Sequence, residues 1–295
     1  MTTSEATTRV SFKTILFATD FSFASEAAVP YVISLGHGYD SKVIVAQAVP
    51  IEPLVGITPA PAPIEMDLAW QDAQRGMQNY ADSKAFAGLR HEFVLERGNL
   101  SAVVSDLIAH DEVDLVVLGT HGRTGLRKMF AGSLAEQVFR KATCPVLTIG
   151  PGTKAELAQN WEPKMILFAT DFSAGSLHAL PFALSLAEEH RATLVLLHAV
   201  PLVPWEQQAE VGPSYEKRLR QLVSQDTGHT SPIECVVRFD LAVPGVLDVA
   251  KEKQADLIVM GVHHTALPAL ESHMPWAIAY EVISGAPCPV LTVRG

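Results

Sequence analysis

At 295 residues, 48% of them apolar, the chain is too long for one comfortable core and suits two domains of roughly 150 residues each. Its net charge is −10, with 12 Lys+Arg against 16 Asp+Glu in residues 1–150 and 10 against 16 in residues 151–295, so neither half carries the clustered positive charge that nucleic-acid binding requires. No apolar run reaches the ~18–20 residues of a membrane span, and Met1–Val10 lacks the basic start and apolar stretch of a signal peptide, so a soluble cytoplasmic protein without membrane or nucleic-acid partners is expected.

In chain order, Thr14–Ala18 is a short continuous apolar run, suited to a strand buried on both faces. Ser22 then caps a helix expected to reach Leu35, with Glu26 in its first turns. Val43–Val49 predicts a second strand. The proline-rich stretch Ile51–Pro63 predicts an exposed loop. A helix is expected over Asp67–Leu89, a third strand over His91–Glu96, an amphipathic helix over Leu100–His110 and a fourth strand over Leu115–Leu118. A helix over Leu134–Lys141 and a last strand over Val146–Ile149 complete the half.

The order then repeats. Thr14-Ile-Leu-Phe-Ala-Thr-Asp-Phe-Ser22 recurs as Met165-Ile-Leu-Phe-Ala-Thr-Asp-Phe-Ser173, Asp114-Leu-Val-Val-Leu-Gly119 as Asp256-Leu-Ile-Val-Met-Gly261, and Cys144-Pro-Val-Leu-Thr-Ile149 as Cys288-Pro-Val-Leu-Thr-Val293. Matched blocks in matched order mean a duplicated domain. The expected organisation is a first domain over 1–150, a linker over 151–160 and a second domain over 161–295. Strands alternating with helices imply parallel pairing through right-handed crossovers. The fold class is therefore α/β: two tandem doubly wound parallel five-stranded sheets of Rossmann-like type. Ligands in such sheets bind at the carboxyl ends of the strands, where the strand order reverses. Cys144, Cys235 and Cys288 lack C-x-x-C spacing and read as buried structural thiols, not as a disulfide framework or a zinc site.

The fourth strand of the first half runs into Gly119-Thr-His-Gly-Arg-Thr-Gly-Leu-Arg-Lys-Met-Phe-Ala-Gly-Ser133, with four glycines in 15 residues. Glycine permits close approach of a ligand to the backbone, successive N–H groups form an anion-binding concavity, and a following helix adds its positive end. Arg123 lies within the loop, and Arg127 and Lys128 raise the local potential. Glycine content alone leaves a ligand-free surface loop equally open; the spacing decides. Gly119, Gly122, Gly132 and Ser133 fit G-x2-G-x9-G-[ST], which resembles the nucleotide loop of ATP-binding universal stress proteins. The two Ala-Thr-Asp-Phe-Ser strand ends and the two Cys-Pro-Val-Leu strands are similar to that family as well, over nearly the whole chain.

The resemblance implies an adenine-nucleotide-binding fold, with ATP and its Mg2+ as the expected ligand and AMP or another adenine compound left open. It implies that Asp20 accepts from ribose hydroxyls or helps hold the phosphate-bound ion, with Thr19 lining the same pocket. Ala48 would offer backbone groups to adenine, and Leu118 and Gly119 would pack under the ribose. Gly122 and Arg123 would line the triphosphate. The N–H groups of Gly132, Ser133 and Leu134 would hold it, with the Ser133 hydroxyl donating as well. His121 is an uncommitted neighbour. The family's pairing through the last strand implies an intramolecular pseudo-dimer of the two domains and a homodimer of whole chains, with a protein partner left open.

The second half has Gly261-Val-His-His-Thr-Ala-Leu-Pro-Ala-Leu-Glu-Ser-His-Met-Pro275 at this place. His264 and Met274 replace glycines and carry a Cβ. Pro275 replaces the serine and has no N–H to give, and Glu271 adds negative charge. The second domain is therefore expected not to hold ATP, although Asp171 remains. His263, His264 and His273 match no common metal-ligand spacing. Trp205, Tyr215 and Trp276 read as core or interface aromatics. The function expected is a nucleotide-dependent regulatory or stress protein in which domain 1 binds ATP and domain 2 serves pairing or partner binding. No S-G-G-x-D-S loop, H-x-G-H or G-x4-G-K-[ST] motif is present, so catalysis is expected to be at most slow ATP hydrolysis. The alternatives are a slow ATPase and a non-nucleotide interaction protein with a vestigial site.

Overall fold

The computed structural model describes residues 9–50, 63–120, 138, 142–153, 160–223, 229–262 and 275–295. The chain forms two compact units, one built on Ser11–Pro151 with Trp161 and the other on Glu162–Gly295 with Val10 and Gly152.

In the first unit the elements run β1 (Thr14–Ala18), α1 (Phe23–Glu26), α2 (Val29–Tyr39), β2 (Lys42–Val49), α3 (Pro63–Ser83), β3 (Arg90–Arg97), α4 (Leu100–His110), β4 (Leu115–Gly119) and β5 (Val146–Ile149). The strands pair in parallel in the order β3-β2-β1-β4-β5. The central strands are apolar throughout because helices cover both faces: Ile15, Leu16, Phe17, Val43, Ile44, Val45, Val116 and Val117 are all buried. The edge strand β3 instead carries Arg90, Glu92, Glu96 and Arg97, charges that blunt an open edge.

The expected helix from Ser22 to Leu35 is two helices. Ser22 caps α1, its hydroxyl accepting from the Ser25 N–H, and the chain turns at Ala27–Ala28 before α2 starts with Pro30 in its first turn. Proline is tolerated there because that N–H has no helical partner. The helix expected over Asp67–Leu89 begins and ends earlier, at Pro63 and Ser83. The helix expected over Leu134–Lys141 lies outside the described residues except for Val138.

The second unit repeats the plan with β6 (Met165–Ala169), α5 (Ala174–Leu177), α6 (Leu180–His190), β7 (Thr193–Ala199), α7 (Trp205–Val223), β8 (Ile233–Arg238), α8 (Ala242–Glu252), β9 (Leu257–Val262), α9 (Pro275–Gly285) and β10 (Val290–Arg294). Its parallel order is β8-β7-β6-β9-β10. Both units anchor the entry to their first strand in the same way. Asp114 Oδ2 accepts from the N–H groups of Lys13 and Thr14 at 2.8 and 2.9 Å, and Asp256 Oδ2 accepts from those of Lys164 and Met165 at the same two distances.

Short segments complete each unit. In the first, Trp161 is buried edge-on against Tyr31, ring centroids 5.4 Å apart, and its carbonyl accepts from Ser34 Oγ. In the second, the Val10 N–H donates to Ser185 Oγ at 2.7 Å and Arg9 pairs with Glu189. One expectation needs correction. Cys288 is buried, but Cys144 and Cys235 are partly exposed. Of the aromatics expected in a core or an interface, Trp205 stands 78% exposed, outside the core, while Tyr215 packs on His198 with centroids 4.9 Å apart. The Trp276 side chain lies outside the described residues. No helix among the described residues is long and apolar enough to cross a membrane.

Candidate functional site

The first unit's strand order reverses at β1, which has β2 on one side and β4 on the other. Ala18, Leu118 and Ala46 share one level of the sheet, so the residues that follow them open at its carboxyl edge. Thr19 continues the pairing by donating its N–H to the Ala46 carbonyl at 3.0 Å. Its hydroxyl is buried, donates to Ser25 Oγ at 3.1 Å and accepts from the Phe21 N–H at 3.0 Å. Thr19 therefore holds the turn and α1 to the strand.

Asp20 stands exposed at the edge, its Oδ1 accepting from the Ser22 N–H at 2.9 Å. The next residue, Phe21, takes φ 57°, a left-handed conformation costly for an aromatic side chain. Its ring is held edge-on to Tyr80, centroids 5.0 Å apart, and fills the space beside Gly76, where any Cβ would lie 2.3 Å from the ring. Tyr80 in turn donates its hydroxyl to Glu26, and burial followed by that bond pushes the Tyr80 pKa up. A strained turn supported this fully fixes the direction in which the Asp20 carboxylate leaves the sheet.

Leu118 is buried beside Ala18, and Ala48 is half-buried in the penultimate position of β2. Gly119 ends β4, with a reason for its lack of a side chain that lies inside the fold: a Cβ there would stand 1.9 Å from the Ala24 carbonyl oxygen. The structure thus brings Thr19, Asp20, Leu118, Gly119 and Ala48 to one edge of one sheet. Gly122, Arg123, Gly132, Ser133 and Leu134, with His121, lie outside the described residues. Sequence reasoning missed Ser25 and the Phe21–Tyr80 support. Ser25 was legible, since Ser22-x-x-Ser25 recurs as Ser173-x-x-Ser176.

The second unit builds the same turn. Thr170 donates its N–H to the Leu197 carbonyl, Thr170 Oγ1 and Ser176 Oγ are 2.8 Å apart, and the Phe172 N–H donates to Thr170 Oγ1 at 2.9 Å. Phe172 repeats the left-handed strain at φ 63°, and Asp171 Oδ1 accepts from the Ser173 N–H. Behind the turn, His198 Nδ1 donates to the Thr170 carbonyl at 2.8 Å, and burial holds that ring below the usual histidine range. A cavity of about 230 Å³ opens at this edge among Thr170, Asp171, Leu197, Val246 and Met260. Residues 263–274, with all three loop histidines, lie outside the described residues. Among the described residues no group of three or more His, Cys, Asp or Glu is arranged to hold a metal ion.

A model of the universal stress protein family matches residues 11–150 and again 163–294. Two universal stress proteins of Methanocaldococcus jannaschii are similar to about half of this chain. One is 29% identical over 140 residues, covering 47% of this chain and 82% of its own, and the other is 24% identical over 156 residues, covering 48% and 96%. Among solved structures, a universal stress protein from Archaeoglobus fulgidus is similar in fold over 96% of this chain and 98% of its own, with a TM-score of 0.71 at 17% identity.

Proposed function

Since this chain belongs to the universal stress protein family, we propose that it is an ATP-binding regulatory protein of the stress response whose N-terminal domain, residues 1–150, holds the nucleotide. The observation that supports this most directly is that Asp20 and Gly119 follow neighbouring, in-register positions of β1 and β4 at the switch point of the first sheet, because Gly119 is the first residue of the glycine-rich sequence. Asp20 accepts hydroxyl hydrogens of the ribose there or reaches an ion on the phosphates. Gly122, Arg123, Gly132, Ser133 and Leu134 take the phosphates. The exposed Asp20 carboxylate fits Mg2+ that arrives on the triphosphate, since Mg2+ is commonly held by one or two carboxylates plus substrate phosphates.

The C-terminal domain, residues 161–295 beyond a linker over 151–160, supplies the surface for pairing or for a protein partner. The two halves act as an intramolecular pair, and whole chains form a homodimer. ATP biases that assembly rather than being consumed, with hydrolysis slow at most. Gly132→Val tests the site. It introduces a β-branched side chain where the backbone must meet phosphate, so it should abolish Mg-ATP binding while leaving the unfolding of the C-terminal domain unchanged. Normal ATP binding by that variant would remove the assignment.

A further inference from the structure

The two units treat their outermost strands differently. β3 ends the first sheet and β8 the second, and among the described residues no further strand pairs with either edge. β8 runs beside β7 in an unbroken parallel register, from Leu194 with Ile233 to Ala199 with Arg238. The Leu194 N–H donates to the Pro232 carbonyl and the Val200 N–H to the Arg238 carbonyl, both at 2.8 Å. Successive residues of a strand turn their backbone groups to opposite sides. Pro232, Glu234, Val236 and Arg238 therefore face β7, and Ile233, Cys235 and Val237 present N–H and C=O at the open edge. Such edges are ordinarily blunted by charge, by proline or by a bulge. β3 carries Arg90, Glu92, Glu96 and Arg97, whereas β8 has no bulge in its register and no charge at its three edge positions. Its Glu234 and Arg238 are engaged by Lys253 and Glu252. Ile233, Cys235, Val236 and Val237 are only half-buried.

A second copy of the chain fits this edge because β8 is complementary to itself. A two-fold axis through Cys235 sets that residue opposite Cys235 of the second copy, and sets Ile233 opposite Val237 of the second copy and the reverse. This antiparallel register alone engages all three edge residues of both strands, giving about six hydrogen bonds, two for each opposed pair. The Cys235 side chain lies on the α7 side, beside Arg220 and Glu216, so what it offers at the edge is backbone. On the other face Glu234 lies diagonal to Arg238 of the second copy, opposite charges within reach of long side chains. Each Glu234 also lies diagonal to its own counterpart, a repulsion that the bound Lys253 offsets. The contact is isologous and closes at two chains. β8 set against β3 of another copy would leave a free edge at each end and add chains without limit.

We propose that whole chains pair through β8, edge to edge and antiparallel, about an axis at Cys235. This deepens the reading that whole chains form a homodimer, and rests on it. Analytical ultracentrifugation of the full chain gives the assembly state, and residue-resolved hydrogen exchange of the same protein locates the interface. The parent should sediment as a dimer. The amides of Ile233, Cys235 and Val237 should exchange about tenfold or more slowly there than after dilution to the monomer. Cys235→Pro and Val237→Pro each remove an N–H that faces away from β7, so both should match the parent in circular dichroism. Each should raise the dimer dissociation constant about tenfold or more. A dimer with those three amides unprotected, or one untouched by both folded proline variants, would overturn the β8 edge and leave the homodimer reading standing. Protection of the same amides in a monomeric parent would mean that another strand occupies the edge, and would overturn the pairing of copies. A monomer at every concentration with free exchange at β8 would overturn the homodimer reading together with this one. Should neither proline variant fold, exchange in the parent decides alone.

Discussion

The carbonyl oxygen of Ala24 lies 1.9 Å from where a Cβ on Gly119 would stand, and the Gly175 carbonyl oxygen lies 2.2 Å from the same point on Gly261. In both units the first short helix rests its backbone on the glycine at the end of the fourth strand. The glycine at that place is thus required by packing, which accounts for its survival in the half whose loop has lost its other glycines. Gly119→Ala and Gly261→Ala should each destabilise the unit concerned, at or above the upper end of the roughly 1–3 kcal/mol of an overpacked core, because the obstacle is backbone. Urea unfolding measures this. A Gly261→Ala protein as stable as the parent would show that the contact yields without cost.

The paired aspartates give a second expectation. Asp114 and Asp256 each satisfy two backbone N–H groups at the entry to a first strand. Hydrogen bonds to a charged acceptor contribute about 1.5–3 kcal/mol. Asp114→Ala and Asp256→Ala should each lower unfolding stability by about that amount, with little difference between the halves. A loss confined to one of them would mean that the duplication does not extend to this anchor.

Acid should weaken the second unit through two histidines. Burial is the leading cause that holds His198 and His190 below their ordinary value of 6.5. The folded state therefore binds protons less readily than the unfolded chain, so this stability is full above pH 6.5 and is lost as pH falls through the folded values. The urea midpoint of the C-terminal unit should drop between pH 7 and pH 5, and His198→Gln should flatten that drop. An unchanged slope in the variant would remove His198 from the account.

The cysteines should rank in reactivity. Burial pushes the Cys144 thiol up to about 12 and raises Cys288 still further, while Cys235 is raised less. A thiol that stays protonated is a poor nucleophile. At pH 8 a thiol reagent should modify Cys235 first and leave Cys288 last, with all three reacting once the chain is unfolded. Rapid modification of Cys144 in the folded protein would contradict the raised pKa of its thiol.

Much of the fold was legible because a parallel sheet covered on both faces writes its strands as unbroken apolar runs. Leu115–Leu118 and Val146–Ile149 needed nothing else, and α4 showed its period between clear limits. The break between α1 and α2 was not legible, since Ala27 and Ala28 are no helix breakers and Pro30 reads as interior until a new helix is known to start there. Within the site, Asp20 and Thr19 were marked by their repetition as Asp171 and Thr170. The packing role of Gly119 was hidden because the Ala24 backbone that demands it arrives from a different element. The cavity of the second half was hidden for another reason. Its walls, among them Thr170, Leu197, Val246 and Met260, come from separate elements that no single sequence pattern places together.

Calorimetric titration of nucleotide-stripped protein with Mg-ATP tests the central claim most directly, by its stoichiometry. One site per chain, lost in Gly132→Val, is the predicted result: a working N-terminal loop and a C-terminal half that takes no triphosphate. Two sites per chain would contradict the reading of His264, Met274 and Pro275, and no binding at all would leave the glycine loop without its ligand.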